Sequence, residues 1–144
     1  MQKTLLILLV ACSLMVNCTK NKIKKDEFFT CTKLQNLDSS NVGNKIIGAW
    51  LLTKQKCYWA NETNLLIYNT KVTFNTDRTY FIKTNNIITV HGNWNLVPIN
   101  VNNWSLNLTT QNEYLYGCIL FCNNQLMFYN SYIDGCDNLF YKSN

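Results

Sequence analysis

From Lys45 to the C-terminus, apolar and polar residues alternate with a period of two in short runs that are separated by turn residues. In NWSLNLT, Trp104, Leu106 and Leu108 share one face and polar residues share the other, which is the pattern of a strand with one face in water. The runs KVTFN, TYFIK and GNWNLV repeat this pattern. No convincing helical period extends over more than two turns, so the domain is predicted to be all-β.

Short loops join the predicted strands. Asn123-Asn124 and Asp134-Gly135 are residue pairs that favour tight hairpin turns. Counting from IIGAWLLTKQKCYW gives eight or nine strands, which predicts an up-and-down antiparallel meander of about eight strands. A meander of this size usually closes into a barrel, because closure removes the exposed edges. An open β-sandwich would produce the same alternation, so both architectures stay open.

The N-terminus carries an apolar run, residues 5–16, interrupted only by Ser13. Its length is typical of a signal peptide, since a membrane span needs ~20 residues. LVAC, ending in Cys12, fits the bacterial lipobox but leaves an apolar core shorter than the usual ~7 to 15 residues. MVNC, ending in Cys18, leaves a full core but places Asn17 before the cleaved bond. Cys18 is the preferred lipidation site, Cys12 the second choice, and an ordinary secretory signal the alternative.

This interpretation divides the chain into a lipoprotein signal peptide (1–17), a tether (18–43) and a β-barrel domain (44–144). The lysines that follow Cys18 suit a solvated tether near anionic headgroups, where each charge contributes ~1 kcal/mol. More than one acyl chain on the cysteine would make a lasting membrane anchor. The predicted location is the bacterial cell envelope, facing the periplasm or the cell surface.

The formal charge of +5 does not indicate a nucleic-acid partner. Five lysines lie between residues 20 and 33, in the predicted tether. From Leu34 onward, the sequence contains seven basic and six acidic residues, so the net charge of the domain is almost zero. A basic face for phosphates is therefore not expected.

Disulfides persist in exported proteins, and five cysteines remain if Cys18 is lipidated and Cys12 is removed. The first and last strands of an eight-stranded meander meet antiparallel. This arrangement brings the end of GAWLLTKQKC towards the start of CDNLFYK and predicts a disulfide between Cys57 and Cys136. Cys118 and Cys122 are ~13 Å apart along one strand, too far for a bond unless the strand is broken.

Residues for catalysis or metal binding are few. His91 is the only histidine, and no nucleophile or carboxylate accompanies it in a triad pattern. The thiols of CILFC with one histidine do not have zinc-site spacing. Phosphate loops, dinucleotide fingerprints and paired carboxylates are absent from the sequence. We therefore expect no enzyme activity, no metal and no cofactor.

Aromatic residues on alternating strand positions are the remaining candidates for a binding site. They are Tyr80, Trp94, Trp104, Tyr114 and Tyr116. Facing inward, they would line an apolar pocket with a few polar tips. They would equally fill a small barrel completely, because eight strands enclose an interior at the boundary between filled and ligand-holding.

Three motifs carry a resemblance to a known family. IIGAW at residues 46–50, VTFNTDRTYF and VHGNWNL resemble the lipocalin-like domain of bacterial lipoproteins, over roughly residues 44–143. Gly48 and Trp50 match the first-strand motif, and Arg78 stands where the family usually has a turn glycine. The resemblance implies that Trp50 plugs the closed end of the barrel.

Two functions are predicted. The first is a membrane-anchored envelope lipoprotein whose barrel binds a small hydrophobic or amphipathic ligand without catalysis. The alternative is a solid barrel that acts as a protein-protein interaction or inhibitor module at the envelope, with an envelope protein as partner. An internal cavity would favour the first, and a filled barrel with an exposed apolar patch would favour the second.

Overall fold

The computed structural model describes residues 37–57, 69–130 and 133–143. In these ranges a helix is followed by eight strands, with a short 3-10 helix, Glu113–Leu115, between the fifth and sixth strands. The elements are α1 (Ser39–Ile46), β1 (Gly48–Cys57), β2 (Thr70–Phe74), β3 (Thr79–Thr84), β4 (Ile87–Asn100), β5 (Asn103–Leu108), β6 (Cys118–Cys122), β7 (Gln125–Tyr129) and β8 (Cys136–Ser143).

The eight strands form one antiparallel sheet in the order β5-β4-β3-β2-β1-β8-β7-β6. Neighbours in sequence are neighbours in the sheet, and the first strand also pairs with the last. The two edge strands approach each other, since the backbone N–H of Trp104 in β5 contacts the Cys118 thiol of β6. The sheet is therefore a nearly closed barrel, and the predicted up-and-down meander of eight strands is confirmed.

The alternation in the sequence determines which side chains enter the core. Val72, Phe74, Tyr80, Ile82 and Trp94 are all buried, as the pattern of β2, β3 and β4 predicts. Burying each large apolar side chain contributes ~1.5 to 3 kcal/mol, which is the main drive for this arrangement.

The turns use asparagine where the backbone needs a positive φ. Asn85 and Asn86, between β3 and β4, have φ of 52° and 67°, which makes the connection a type I′ turn. The tight hairpin turn predicted at Asn123-Asn124 joins β6 to β7, with a positive φ of 53° at Asn123. Arg78 adopts φ 68° between β2 and β3, a conformation that usually favours glycine.

Helix α1 begins within the segment that the sequence analysis predicted as tether, since residues 39–43 are the first five of its eight residues. Its start is capped by Asp38, whose carboxylate accepts a hydrogen bond from the Asn41 N–H at 2.8 Å. Val42 and Ile46, four residues apart on one helix face, are buried in the barrel core. This burial makes α1 part of the barrel's packing.

A disulfide joins Cys57 at the end of β1 to Cys136 at the start of β8. The two residues are direct partners in the register of this strand pair. The predicted pairing is confirmed, and its reason is the antiparallel meeting of the first and last strands.

Replacing Cys57 and Cys136 together by alanine should lower the free energy of unfolding by about 4 kcal/mol, because the crosslink closes a long loop in the unfolded chain. Urea unfolding of the oxidised proteins measures this difference. Cys118→Ala is the control, since Cys118 is a buried thiol without a crosslink. An equal loss in the double variant and the control would show that the crosslink does not stabilise the fold.

Candidate functional site

Large side chains pack the interior of the barrel. Phe74 meets the Trp94 ring edge to face at 5.7 Å between centroids and stacks on Tyr80 at 6.1 Å. Phe128 and Phe140 form a second edge-to-face pair at 5.8 Å. All five rings are at most 1% exposed and belong to one cluster. In the described part of the chain, the centre of the barrel is thus occupied by side chains in contact with one another.

Two of the predicted cavity residues, Tyr80 and Trp94, are members of this core. Trp94 donates its indole N–H to the carbonyl of Thr79 at 3.1 Å, and the Tyr80 hydroxyl donates to the carbonyl of Thr110. Burial raises the pKa of Tyr80, so the phenol stays protonated as a donor. The Trp94 indole N–H and the Tyr80 hydroxyl are therefore both hydrogen-bonded to backbone carbonyls.

The other three predicted cavity residues lie further out. Trp104 and Tyr114 are partly buried and pack against the core. The Trp104 indole donates to the carbonyl of Leu37 at 2.9 Å, which ties β5 to the chain just before α1. Tyr116 is 43% exposed and bonds Gln111. Four of the five rings thus join the core or line its edge, and a ligand cavity between them stays a prediction.

Trp50 lies between α1 and the core. Its indole N–H donates to the Ile46 carbonyl at 2.7 Å, and its ring lies 6.4 Å from that of Phe121. The Lys142 ammonium is 5.4 Å from the Trp50 ring centroid. Gly48 has φ 122° at the junction of α1 and β1, which other residues rarely adopt. The role of barrel plug remains what the resemblance implies for Trp50.

A concave surface on β3 and β4, which we call the lateral groove, is the more apolar of two cavities described. It has a volume of about 390 Å³ and opens to solvent. Phe81 and His91, paired in the register of β3 and β4, both line it. Ile88 lines it too and is 55% exposed, and its neighbour Ile87 is 69% exposed. The groove therefore presents apolar side chains to the surroundings of the barrel.

Gly92 shapes the lateral groove. A Cβ at this position would lie 2.6 Å from Thr109 Oγ1 and 3.2 Å from Tyr80 Cε1. The absence of a side chain lets Thr109 approach β4, where its hydroxyl accepts the Asn93 N–H at 2.8 Å. We therefore attribute the glycine of VHGNW to packing.

A second cavity, the helix groove, lies between α1 and the loop that joins β2 to β3. It has a volume of about 600 Å³, and Ser39, Gly43, Arg78 and Asn95 are among its lining residues. The Arg78 guanidinium lies 4.4 Å from the centroid of the Trp94 ring, a cation-π contact that holds it in place. The sequence analysis missed this groove because it did not predict α1.

Reactive groups are dispersed over the described residues. His91 is exposed in the lateral groove. Burial raises the pKa of the Cys118 thiol, against the opposing effect of the Trp104 N–H, so this sulfur is protonated near neutral pH. Within residues 37–57, 69–130 and 133–143, no three histidine, cysteine, aspartate or glutamate side chains are grouped to hold a metal.

The predicted lipidation sites, Cys18 and Cys12, lie outside the described residues. Among the helices that are described, none is long and apolar enough to cross a membrane. The lipid anchor and the signal peptide therefore stay predictions from the sequence.

Comparisons with models of protein families, with curated proteins and with solved structures find no match to this chain. The resemblance to lipocalin-like domains accordingly rests on the three sequence motifs.

Phe128→Ala should lower the free energy of unfolding by about 3 to 5 kcal/mol, because it removes a fully buried ring from a packed interior. Urea unfolding measures the change. Phe81→Ala, in the lateral groove, is the matched control and should cost under about 1 kcal/mol. Equal losses would contradict a tightly packed interior.

Proposed function

We propose that this protein is an exported, lipid-anchored β-barrel that acts by contacting a protein partner at the cell envelope, without catalysis. The observation that carries the proposal is the location of its apolar surface. The interior is packed with buried rings, whereas the lateral groove is lined by the half-buried Phe81 and by Ile88, which is 55% exposed. A surface of this kind is typical of protein contact sites.

The packed interior favours a protein-contact function over the binding of a ligand inside the barrel. A ligand in the centre of the barrel would have to displace rings such as Trp94 and Phe128, which are fully buried. Opening space for it would cost the packing and burial energy of those side chains, ~3 to 5 kcal/mol for each large ring. The free energy gained by binding a ligand there would have to exceed this cost.

The lateral groove has the chemistry of a partner site. Phe81 forms a wide apolar surface, and the Lys83 ammonium lies 5.4 Å from its ring centroid. Ile88 and His91 bring an aliphatic and a polar side chain to the same concavity. An extended segment with one large apolar side chain fits this lining, because an anchor residue buried in a pocket supplies most of the energy of such contacts.

The second candidate is a small hydrophobic ligand in the lateral groove. Its volume of about 390 Å³ lies within the ~300 to 1,000 Å³ of known ligand pockets. Tyr80, a residue of the predicted ligand site, contributes to the lining. This candidate retains the ligand-binding function and moves it from the interior to the outer surface.

The anchor completes the proposal. Cys18 would carry the lipid, with Cys12 as the second choice, and the lysines at 20, 22, 24 and 25 would keep the tether solvated at the membrane surface. The lipocalin-like motifs suit this assignment, since the family they resemble belongs to bacterial lipoproteins.

Cys18→Ala should abolish incorporation of labelled palmitate and release the protein from the membrane fraction, because it removes the acylated thiol. Metabolic labelling in a bacterial host, followed by fractionation, measures both effects. Cys12→Ala is the matched control and should keep the label. Label that is lost only in Cys12→Ala would move the anchor to Cys12, and an unlabelled wild-type protein would overturn the lipid anchor.

A photo-crosslinking phenylalanine analogue at position 88 should capture one discrete protein partner in the native envelope. Val101, an apolar residue that is 86% exposed on the connection between β4 and β5, is the matched control position. We expect a crosslinked protein band from position 88 and none from position 101. The band should be lost when Phe81→Asp is added to the labelled chain.

The alternative outcomes are distinct. A crosslink to a small lipid-sized molecule at position 88 would favour the ligand candidate. Equal protein crosslinking from positions 88 and 101 would show non-specific contact and would contradict the proposed use of the lateral groove.

A further inference from the structure

The outer face of β2 and β3 carries two lysines that lie directly opposite each other. Val72 and Ile82 are buried in the core, so their strand neighbours Lys71 and Lys83 point away from the barrel interior. The two lysines are partners in the antiparallel register, which places their Cβ atoms ~4.5 to 5.5 Å apart. Both side chains are half-buried. Like charges on facing strand positions repel each other, so this pair lowers the stability of the folded protein.

No carboxylate compensates this lysine pair in the part of the chain that the structure describes. The Lys83 ammonium lies 5.4 Å from the Phe81 ring centroid, and neither lysine has a hydrogen-bond or ion-pair partner there. The carboxylate of the same hairpin, Asp77, accepts hydrogen bonds from the N–H and the hydroxyl of Thr79. Thr79 is ~13 Å along β3 from Lys83. The domain is almost neutral overall, so the lysine pair is a local excess of positive charge.

The lysine pair adjoins the lateral groove. Lys83 is the register partner of Ile88, which lines the groove, and Lys71 is the register partner of Leu51 on β1. An apolar side chain therefore flanks the two ammonium groups on each side. Phe81, which lines the groove as well, is two residues from Lys83 on the same face of β3, a separation of ~7 Å.

We propose that the partner bound at the lateral groove is an extended acidic segment. In this segment an apolar side chain packs on Phe81, and a carboxylate two positions along binds between Lys71 and Lys83. Side chains two positions apart in an extended chain share one face and lie ~7 Å apart, which matches the spacing of Phe81 and Lys83. The bound carboxylate offsets the repulsion between the two lysines. This inference rests on the proposed contact function of the groove and specifies the chemistry of the partner.

An anionic membrane is the other surface that attracts lysines, and the shape of the site favours a chain segment. The groove beside the lysine pair is concave, with a volume of about 390 Å³. A bilayer surface is nearly flat and contacts the protruding parts of a protein, whereas a single side chain of a segment enters a concavity. Two lysines are also fewer than the ~4 to 8 basic residues of typical sites for anionic lipids.

Fluorescence anisotropy with two synthetic peptides tests the charge of the partner. The probe is fluorescein-labelled Ser-Phe-Thr-Glu-Thr-Ser, and the matched control peptide has glutamine in place of glutamate. We expect the full-length protein to bind the glutamate peptide about five- to tenfold more tightly, because the carboxylate is attracted by both lysines. Raising the NaCl concentration from about 0.05 to about 0.5 M should remove this difference, since salt screens exposed charges.

Substitution of the lysines tests their role. Lys71→Gln and Lys83→Gln should each bring the affinity for the glutamate peptide close to that for the glutamine peptide. Lys45→Gln removes one positive charge from α1 and is the matched control, which should leave both affinities unchanged. The urea midpoint of Lys71→Gln should equal or exceed that of the wild type, because the repulsion is removed. Weaker binding without a lower midpoint would show that the lysine acts on the ligand and not through the fold.

The outcomes separate this inference from the proposed function. Equal affinities for the two peptides, or no binding of either, would overturn the acidic partner, whereas a crosslinked band from position 88 would still support protein contact at the groove. Absence of that band would overturn the proposed function whatever the peptides do. Binding to vesicles of phosphatidylglycerol and phosphatidylcholine that is lost in Lys71→Gln, without selective peptide binding, would overturn the acidic segment in favour of a membrane surface.

Discussion

The pairing of β1 with β8 holds the two halves of the barrel together. β2 to β5 extend the sheet on one side of β1, and β7 and β6 extend it on the other side of β8. Eight register pairs join these two strands, and the Cys57–Cys136 disulfide closes the last of them. Without this junction the chain would be two separate small sheets, each with an unprotected apolar face. The packed interior exists because both halves contribute rings to it, Phe74 and Trp94 from one and Phe128 and Phe140 from the other.

Much of this architecture is local enough to be predicted from the sequence. Alternation identifies the inward side chains of β2, β3 and β4, because one face of each strand meets water and the other meets the core. The disulfide followed from topology alone. Helix α1 was missed because SSNVGNKI has weak helix propensity; its helix is stabilised by the Asp38 cap and by burial of Val42 and Ile46. Such tertiary contacts leave little signal in the local sequence.

The candidate site was harder to predict than the fold. The sequence identified the rings Tyr80 and Trp94, but whether inward rings fill a barrel or line a pocket depends on their packing with distant partners such as Phe74. The burial of β6 and β7 had a signal that alternation analysis does not use. Runs such as CILFC and QLMFY lack the polar positions of β5 because both faces of these strands are buried.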